Sequence, residues 1–221
     1  MNIPYEKNQK ERVPFETYKA RFREADPVLL SQVSGAPYDA KTGLFSVTLM
    51  GKRYTVHYPD FETHCLEEDG GYAPLLDNLE TKILVIRYLL EGKKAPFKGD
   101  FYAYADMPWG NHYNQVFQGR CVKRLAYTFG FKLDSFRQVM ESLGGTPVPQ
   151  GDAGYEFFFL DDLKLQFMIW EGDEEFPPSA QILFSGNFAS AFHGEDMAAV
   201  GDISIGTLKR LAGELAARQP Q

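Results

Sequence analysis

The chain has 221 residues, of which 44% are hydrophobic, enough to bury a core in one large domain or two small ones. Its net charge of -7 lacks the basic surface that nucleic-acid binding requires. The polar N-terminus and the lack of a long apolar run predict neither a secretory signal nor a membrane span, so we expect a cytoplasmic protein with no nucleic-acid or membrane partner.

The first part of the chain carries two helix patterns. Phe15, Tyr18 and Phe22 are spaced to form one stripe of a short helix. Asp26, followed by a proline, is typical of a helix start, and Gly35 is typical of a helix end. We therefore expect two short helices before the first strand.

Two pairs of alternating segments predict two antiparallel hairpins. Residues 44–50 and 53–58 alternate around a Gly-Lys turn. Residues 155–160 and 163–170 alternate around the pair Asp161-Asp162, which has hairpin length. Residues 180–184 are apolar enough to form a further strand.

The remaining apolar patterns predict helices. The strongest covers 77–90, with Asp77 as its cap and Glu80 completing a capping box. Asp134 is expected to cap another helix. Further helices are predicted at 113–129, 186–193, 195–200 and 203–217, an aromatic loop at 93–110, and a linker at 146–154.

These elements predict an α+β fold in which an antiparallel sheet is flanked by helices. We expect residues 1–221 to form a single domain, which could divide into sub-lobes at 15–145 and 151–217. The order hairpin, loop, helix occurs at 44–91 and again at 155–217. It suggests a duplicated unit, although hairpins followed by helices are common in α+β proteins.

The acidic run after the second hairpin has two interpretations. Asp173, Glu174 and Glu175 precede two prolines that no strand can continue through. These carboxylates could lie in a solvated loop at a sheet edge. Alternatively, they could bind a metal or act as acid and base, with at most two of the three pointing at one centre.

Aromatic residues suggest a cleft. The 97–109 segment could form a wall that stacks on a flat ligand, or it could simply cover the sheet. Cys65 and Cys121 are isolated and match no metal-binding spacing, and no cofactor motif is evident. The ligand-contacting residues expected from this pattern are Tyr102, Trp109, Trp170, Asp173, Glu174 and Phe176.

The segment Trp170–Pro177, with Ser179-Ala180 and 182–184 after it, resembles the signature of the domain-of-unknown-function 3786 family. Weaker similarity extends over about residues 15–215. The family is uncharacterised and prokaryotic, so the resemblance implies no catalytic residues. Some relatives carry an additional cysteine-rich iron–sulfur segment, which this chain lacks. The resemblance implies that Asp173, Glu174 and Phe176 matter for fold or ligand.

Three functions remain open from the sequence. The first is a non-catalytic binding or accessory protein that holds a small planar molecule or a partner protein near Trp109, Trp170 and the acidic loop. The alternative is a metal-dependent hydrolase or lyase using carboxylates of 171–175, which requires a histidine in the same pocket. The third is a purely structural oligomer.

Overall fold

The computed structural model describes the backbone of residues 9–67 and 70–218, and side chains from residue 13 onward within those ranges. Its strands form one antiparallel sheet in the order β4-β3-β2-β7-β8-β9-β5, with β1 paired to β2 and β6 paired to β7. The strands are β1 Tyr38–Asp39, β2 Leu44–Leu49, β3 Lys52–His57, β4 Thr63–Cys65, β5 Phe101–Ala103, β6 Thr146–Pro147, β7 Ala153–Leu160, β8 Leu163–Trp170 and β9 Ser179–Ser185. With helices flanking this sheet, the fold is α+β, as the sequence predicted.

The helices are α1 Gln9–Glu24, α2 Pro27–Ser34, α3 Pro74–Asp77, α4 Leu79–Glu91, α5 Gly110–Phe117, α6 Lys123–Phe129, α7 Leu133–Ser142, α8 Phe188–Ala191 and α9 Gly194–Arg218. A π-helical turn, Gln118–Val122, joins α5 to α6 without a break. Helix α4 packs against α1, α2 and α9, while α7 packs against α9 and β7. None of the helices in the described ranges is long and apolar enough to cross a membrane.

Both predicted hairpins are confirmed. In the β7–β8 hairpin, Leu160 pairs with Leu163, so the turn is the predicted pair Asp161-Asp162. Asp161 adopts a positive φ of 48°, a conformation that aspartate tolerates better than most residues. The apolar face of β8, represented by Leu165 and Phe167, is fully buried, as period-two alternation requires.

The two hairpins meet at a narrow joint between β2 and β7. Only Leu49 and Leu160 are paired across it as strand residues. Asp161 extends the joint, because its backbone N–H donates to the Thr48 carbonyl and its carboxylate accepts the Thr48 N–H, both at 2.8 Å. The same carboxylate accepts a hydrogen bond from the Tyr88 hydroxyl at 3.1 Å, which ties α4 to the hairpin turn.

Helix ends agree with the sequence at α2 and differ at α4 and α7. Asp26 accepts hydrogen bonds from two backbone N–H groups of α2, and Gly35 ends that helix in the left-handed conformation. The prediction that Asp77 caps α4 is wrong. Asn78 is the cap, and the Asp77 carboxylate instead accepts the Ala73 N–H of the preceding short helix.

Other predicted boundaries also require correction. Asp134 does not cap α7, because it lies within the first turn, after the helix has begun at Leu133. The predicted aromatic loop contains β5, and the predicted linker contains β6, since each short segment finds a partner strand elsewhere in the chain. The last two predicted helices are one continuous helix, α9.

Most rings are core residues. Phe22 of α1 packs against Phe45, Tyr58 and Phe61, with centroid distances of 5.5–5.8 Å. One hydrophobic cluster runs from Phe22 to Leu208 and includes residues of both proposed sub-lobes. The high aromatic content therefore largely serves packing. Only the exposed rings are accessible for contact with a ligand or a partner.

Candidate functional site

The acidic segment 171–178 forms a tight loop between β8 and β9 that is closed by its own hydrogen bonds. Asp173 closes it, because its Oδ1 accepts the backbone N–H groups of Glu175 at 2.8 Å and Phe176 at 2.7 Å. The Asp173 N–H in turn donates to the Phe176 carbonyl at 2.9 Å. A short side chain that bonds its own backbone in this way stabilises one turn conformation. We call residues 171–178 the acidic loop.

The acidic loop is also attached to the body of the protein. The Gly172 N–H donates to the Gly130 carbonyl at 3.1 Å, and the Glu171 N–H donates to the Asp152 carboxylate at 2.8 Å. Gly172 is needed for this close approach, since a Cβ there would lie 2.6 Å from Pro178 and 2.8 Å from the Phe131 ring. These contacts therefore hold the loop in one position on the protein surface.

Apolar and acidic side chains of this region face solvent. Phe176 is 68% exposed and Phe131, whose ring rests on Gly172, is 56% exposed. Trp170, at the end of β8, is 37% exposed. The side chains of Glu174 and Glu175 are exposed and have no ion-pair partner within the described chain. Contiguous exposed apolar surface, unlike single exposed rings, is typical of interaction sites.

A polar cleft of about 470 Å³ adjoins the loop. Its lining mixes carboxylates and cations: Lys132, Asp134, Arg137, Asp152 and Glu171, with Phe131 at one side. Arg137 is already engaged, because it donates to the Asp134 carboxylate at 2.9 Å and to the Asp152 carbonyl at 2.8 Å. The cleft therefore presents charge of both signs beside the exposed rings.

Tyr102 and Trp109 lie apart from this surface. Tyr102 pairs with Phe184 near the end of β9, whereas Trp170 pairs with Ser179 at its start. Five residues of strand separate these positions, roughly 17 Å. Trp109 is 72% exposed at the beginning of α5, beside Gly194 of α9. The structure thus keeps Trp170, Asp173, Glu174 and Phe176 in one segment, and places Tyr102 near the other end of β9 and Trp109 beside Gly194 of α9.

The metal-dependent alternative requires carboxylates of the acidic loop to converge with a histidine. Across the described residues, no group of three or more His, Cys, Asp or Glu side chains is placed to hold a metal ion. Asp173 uses its carboxylate to close the loop, and Glu174 and Glu175 face solvent. The four histidines belong to other elements: His57 to β3, His64 to β4, His112 to α5, and His193 precedes α9.

Comparison with known proteins adds one match. A family model described as "Domain of unknown function (DUF3786)" matches residues 26–207, most of the chain. The chain belongs to this family. No curated protein and no solved structure matches the chain. The match includes the acidic loop and its attachment at Gly130, so both are part of the DUF3786 domain.

The DUF3786 domain also contains a charged cluster that the sequence analysis missed. Arg120, in the π-helical turn, bonds Glu80 of α4 at 3.0 Å and Asp202 of α9, and Arg124 bonds Asp202 at 2.7 Å. Hydrogen bonds and the negative charge of Asp202 outweigh burial and raise the pKa of Arg120. These pairs join three helices and satisfy one another, so we regard the cluster as structural.

One sequence signal could have revealed the π-helical turn. Phe117, Cys121, Leu125 and Phe129 are all buried, and they recur at intervals of four residues. In an ordinary α-helix, an interval of four drifts by about 40° each time, so the set would turn away from the core. A widened turn restores the alignment, and such turns are often found at functional sites.

Proposed function

We propose that this DUF3786 protein is a non-catalytic binding or accessory protein of the cytoplasm. Its contact surface is the acidic loop together with Phe131 and Trp170, and its partner is a basic polypeptide segment that carries an apolar side chain. One observation carries the proposal: exposed Phe176 and the carboxylates of Glu174 and Glu175 are presented by a loop whose conformation is already fixed.

A fixed loop lowers the entropic cost of binding. Ordering a free side chain or loop on association costs about 0.5–1.5 kcal/mol per immobilised side chain. In the acidic loop, the two Asp173 hydrogen bonds and the attachments at Gly130 and Asp152 keep the backbone in place in the free protein. The free energy gained by burying Phe176 therefore does not have to offset the ordering of the loop. It contributes to affinity, as at the aromatic centres of known interfaces.

Charge favours a basic partner. Glu171, Glu174 and Glu175 are exposed beside the rings, so a lysine- or arginine-rich segment would find complementary potential there. A flat small molecule is less suited to this surface, because such ligands are mostly enclosed by apolar walls. Here the rings lie on an outward surface, and the adjoining cleft is lined mainly by charged side chains.

Two properties of the chain agree with the other parts of the proposal. Cys65 and Cys121 are both free thiols in the structure, which suits a reducing compartment. The net charge of -7 favours a basic polypeptide over a nucleic acid.

The test is peptide binding measured by fluorescence polarisation. The probe is a labelled peptide rich in lysine and arginine with one tryptophan, and the matched probe replaces its cations by glutamate. We expect the basic probe to bind more tightly, and Phe176→Ala to weaken binding about 30-fold, the effect of losing an interface centre worth about 2 kcal/mol. Glu174→Gln/Glu175→Gln should weaken binding less and reduce its dependence on salt.

Control variants change equally exposed residues elsewhere. Leu29→Ala removes a 55% exposed side chain of α2, and Glu24→Gln/Glu62→Gln removes two exposed carboxylates far along the chain from the acidic loop. Both controls should bind like the wild type. Equal affinity for the two probes, or equal losses in Phe176→Ala and Leu29→Ala, would show that the acidic loop is not the contact surface.

A further inference from the structure

Three adjoining clefts, which share lining residues, lie in a row along α6, α7 and α9. The cleft beside the acidic loop shares Lys132 with a second cleft of about 350 Å³. The second shares Lys209 and Gly213 with a third of about 600 Å³, which also contains Arg124 and Arg210. We call this surface the α6–α9 trough.

The two ends of the trough carry opposite charge. At one end the carboxylates of Asp134, Asp152 and Glu171 outnumber the cations of Lys132 and Arg137, and the exposed Glu174 and Glu175 of the acidic loop lie beside them, so this end is negative on balance. At the other end the lining contains Lys209 and Arg210, Arg124, whose charge is paired with Asp202, and a single carboxylate, Glu214. Such a basic region stands out in a protein whose net charge is -7.

The basic end is held in place and leaves room for a side chain. Arg124 is bonded to Asp202 at 2.7 Å, and the Arg210 guanidinium lies 5.3 Å from the centre of the Tyr72 ring. The floor between these cations is formed by small residues of α9: Gly206, Gly213 and Ala217. A Cβ added at Gly213 would meet nothing within 4 Å, so the helix surface there is open.

We propose that the basic partner of the acidic loop is the basic end of the trough in a second copy of this chain. The inference rests on the proposed function, because it names the partner of that same surface. A two-fold axis across the trough would place each acidic end on the basic end of the other copy. The contact would then be made twice, which is the usual arrangement in homodimers.

Exposed rings support this arrangement. Phe176 and Phe131 lie at the acidic end, and Tyr127, which is 61% exposed, belongs to α6, between Arg124 of the basic end and Lys132. A dimer of this geometry covers them together with the charges. In a monomer they remain in water, at a cost of about 25 cal/mol for each Å² of apolar surface. The open floor of the basic end offers space for Phe176 of the second copy.

Charge reversal in each end, alone and mixed, tests the inference. Sedimentation velocity should show a wild-type dimer that dissociates on dilution and in high salt. Glu174→Lys/Glu175→Lys and Lys209→Glu/Arg210→Glu should each raise the dimer dissociation constant about a hundredfold or more, since each brings like charges together twice. An equimolar mixture of the two variants should form a heterodimer, because both contacts become complementary again.

The controls separate this inference from the proposed function. Glu24→Lys/Glu62→Lys makes the same charge change away from the trough and should leave the dimer intact. If circular dichroism shows that Lys209→Glu/Arg210→Glu does not fold, Lys209→Ala/Arg210→Ala is used in its place. This variant should still weaken the dimer. A monomeric wild type that binds the basic peptide overturns the dimer and leaves the proposed function standing. A monomer that binds no basic peptide overturns both, and a mixture that stays monomeric overturns the dimer geometry.

Discussion

Asp161 is the residue at which a single substitution should have the largest effect on the joint between the two hairpins. Its carboxylate accepts hydrogen bonds from the Thr48 N–H at 2.8 Å and the Tyr88 hydroxyl at 3.1 Å. Its backbone holds a positive φ of 48°. Asp161→Ala removes both hydrogen bonds and places an alanine in a conformation that it disfavours.

The expected loss of stability follows from the lost hydrogen bonds and from the left-handed backbone conformation. A hydrogen bond to a charged group contributes about 1.5–3 kcal/mol, and removal of a buried carboxylate returns part of that through relief of desolvation. The left-handed backbone costs a residue with a Cβ about 1–2 kcal/mol. We expect Asp161→Ala to lower the free energy of unfolding by about 2–4 kcal/mol, and Tm by roughly 4–16 °C.

Two further substitutions separate the terms. Asp161→Gly loses the same hydrogen bonds but accepts the positive φ, so it should be about 1 kcal/mol more stable than Asp161→Ala. Asp161→Asn keeps an acceptor for the Thr48 N–H and tolerates the backbone, so it should remain within about 1 kcal/mol of the wild type at neutral pH. Urea unfolding measures all three. If alanine is tolerated as well as asparagine, the joint does not depend on this carboxylate.

The pH dependence of this series has a defined sign. Burial raises the pKa of Asp161 above its ordinary value, despite the hydrogen bonds from Thr48 and Tyr88, which lower it. The folded protein therefore binds this proton more tightly than the unfolded chain does. The resulting stability is fully present below the ordinary pKa of about 3.9 and is lost as the pH rises through the raised value. The wild type should lose stability relative to Asp161→Asn over that window.

Three further predictions concern the acidic loop, α9 and the cysteines. Asp173→Ala should weaken basic-peptide binding about tenfold, because the loop loses its closing hydrogen bonds, while Tm changes little; a large fall in Tm would contradict a local role. Gly201→Ala should destabilise by about 1–3 kcal/mol, since its Cβ would lie 2.8 Å from the Cys121 sulfur. Gly206→Ala, in the same helix, would place its Cβ at an ordinary contact distance of 3.6 Å from the Arg124 side chain, so it should be neutral or stabilising by urea titration. Burial raises the pKa of Cys121 to about 12, so a disulfide reagent should modify Cys65 in the folded protein and Cys121 only after unfolding; equal rates would argue against that burial.

The hairpins and α2 are the elements that local patterns predicted well. The alternation of residues 163–170 and the turn at Asp161-Asp162 depend on neighbours in the chain, and the structure reproduces both. Asp26 and Gly35 act within one helix, which is why their roles were also predictable. The cap of α4 was misassigned because Asp77 and Asn78 are adjacent and both suit a cap, so composition could not choose between them.

Strand order and the position of the site depend on contacts between distant segments. No local pattern indicates that β2 lies beside β7, or that β5 pairs with the far end of β9. This second pairing separates Tyr102 from Trp170, although both are exposed aromatic residues that the sequence grouped in one cleft. The α6–α9 trough likewise depends on tertiary packing, because Lys132, Lys209 and Arg124 come from three different elements.

The sequence by itself therefore determined the two hairpins, the positions of most helices, the α+β class and the family of this protein. Periodicity and turn chemistry report how each residue sits relative to its neighbours, and those relations survive in any fold. Only the tertiary structure decided which exposed rings share a surface, because that depends on the packing of segments far apart in the chain. The acidic loop was visible as a motif, but its attachment to Gly130 and Asp152, which makes it a rigid surface, appeared only once the chain was folded.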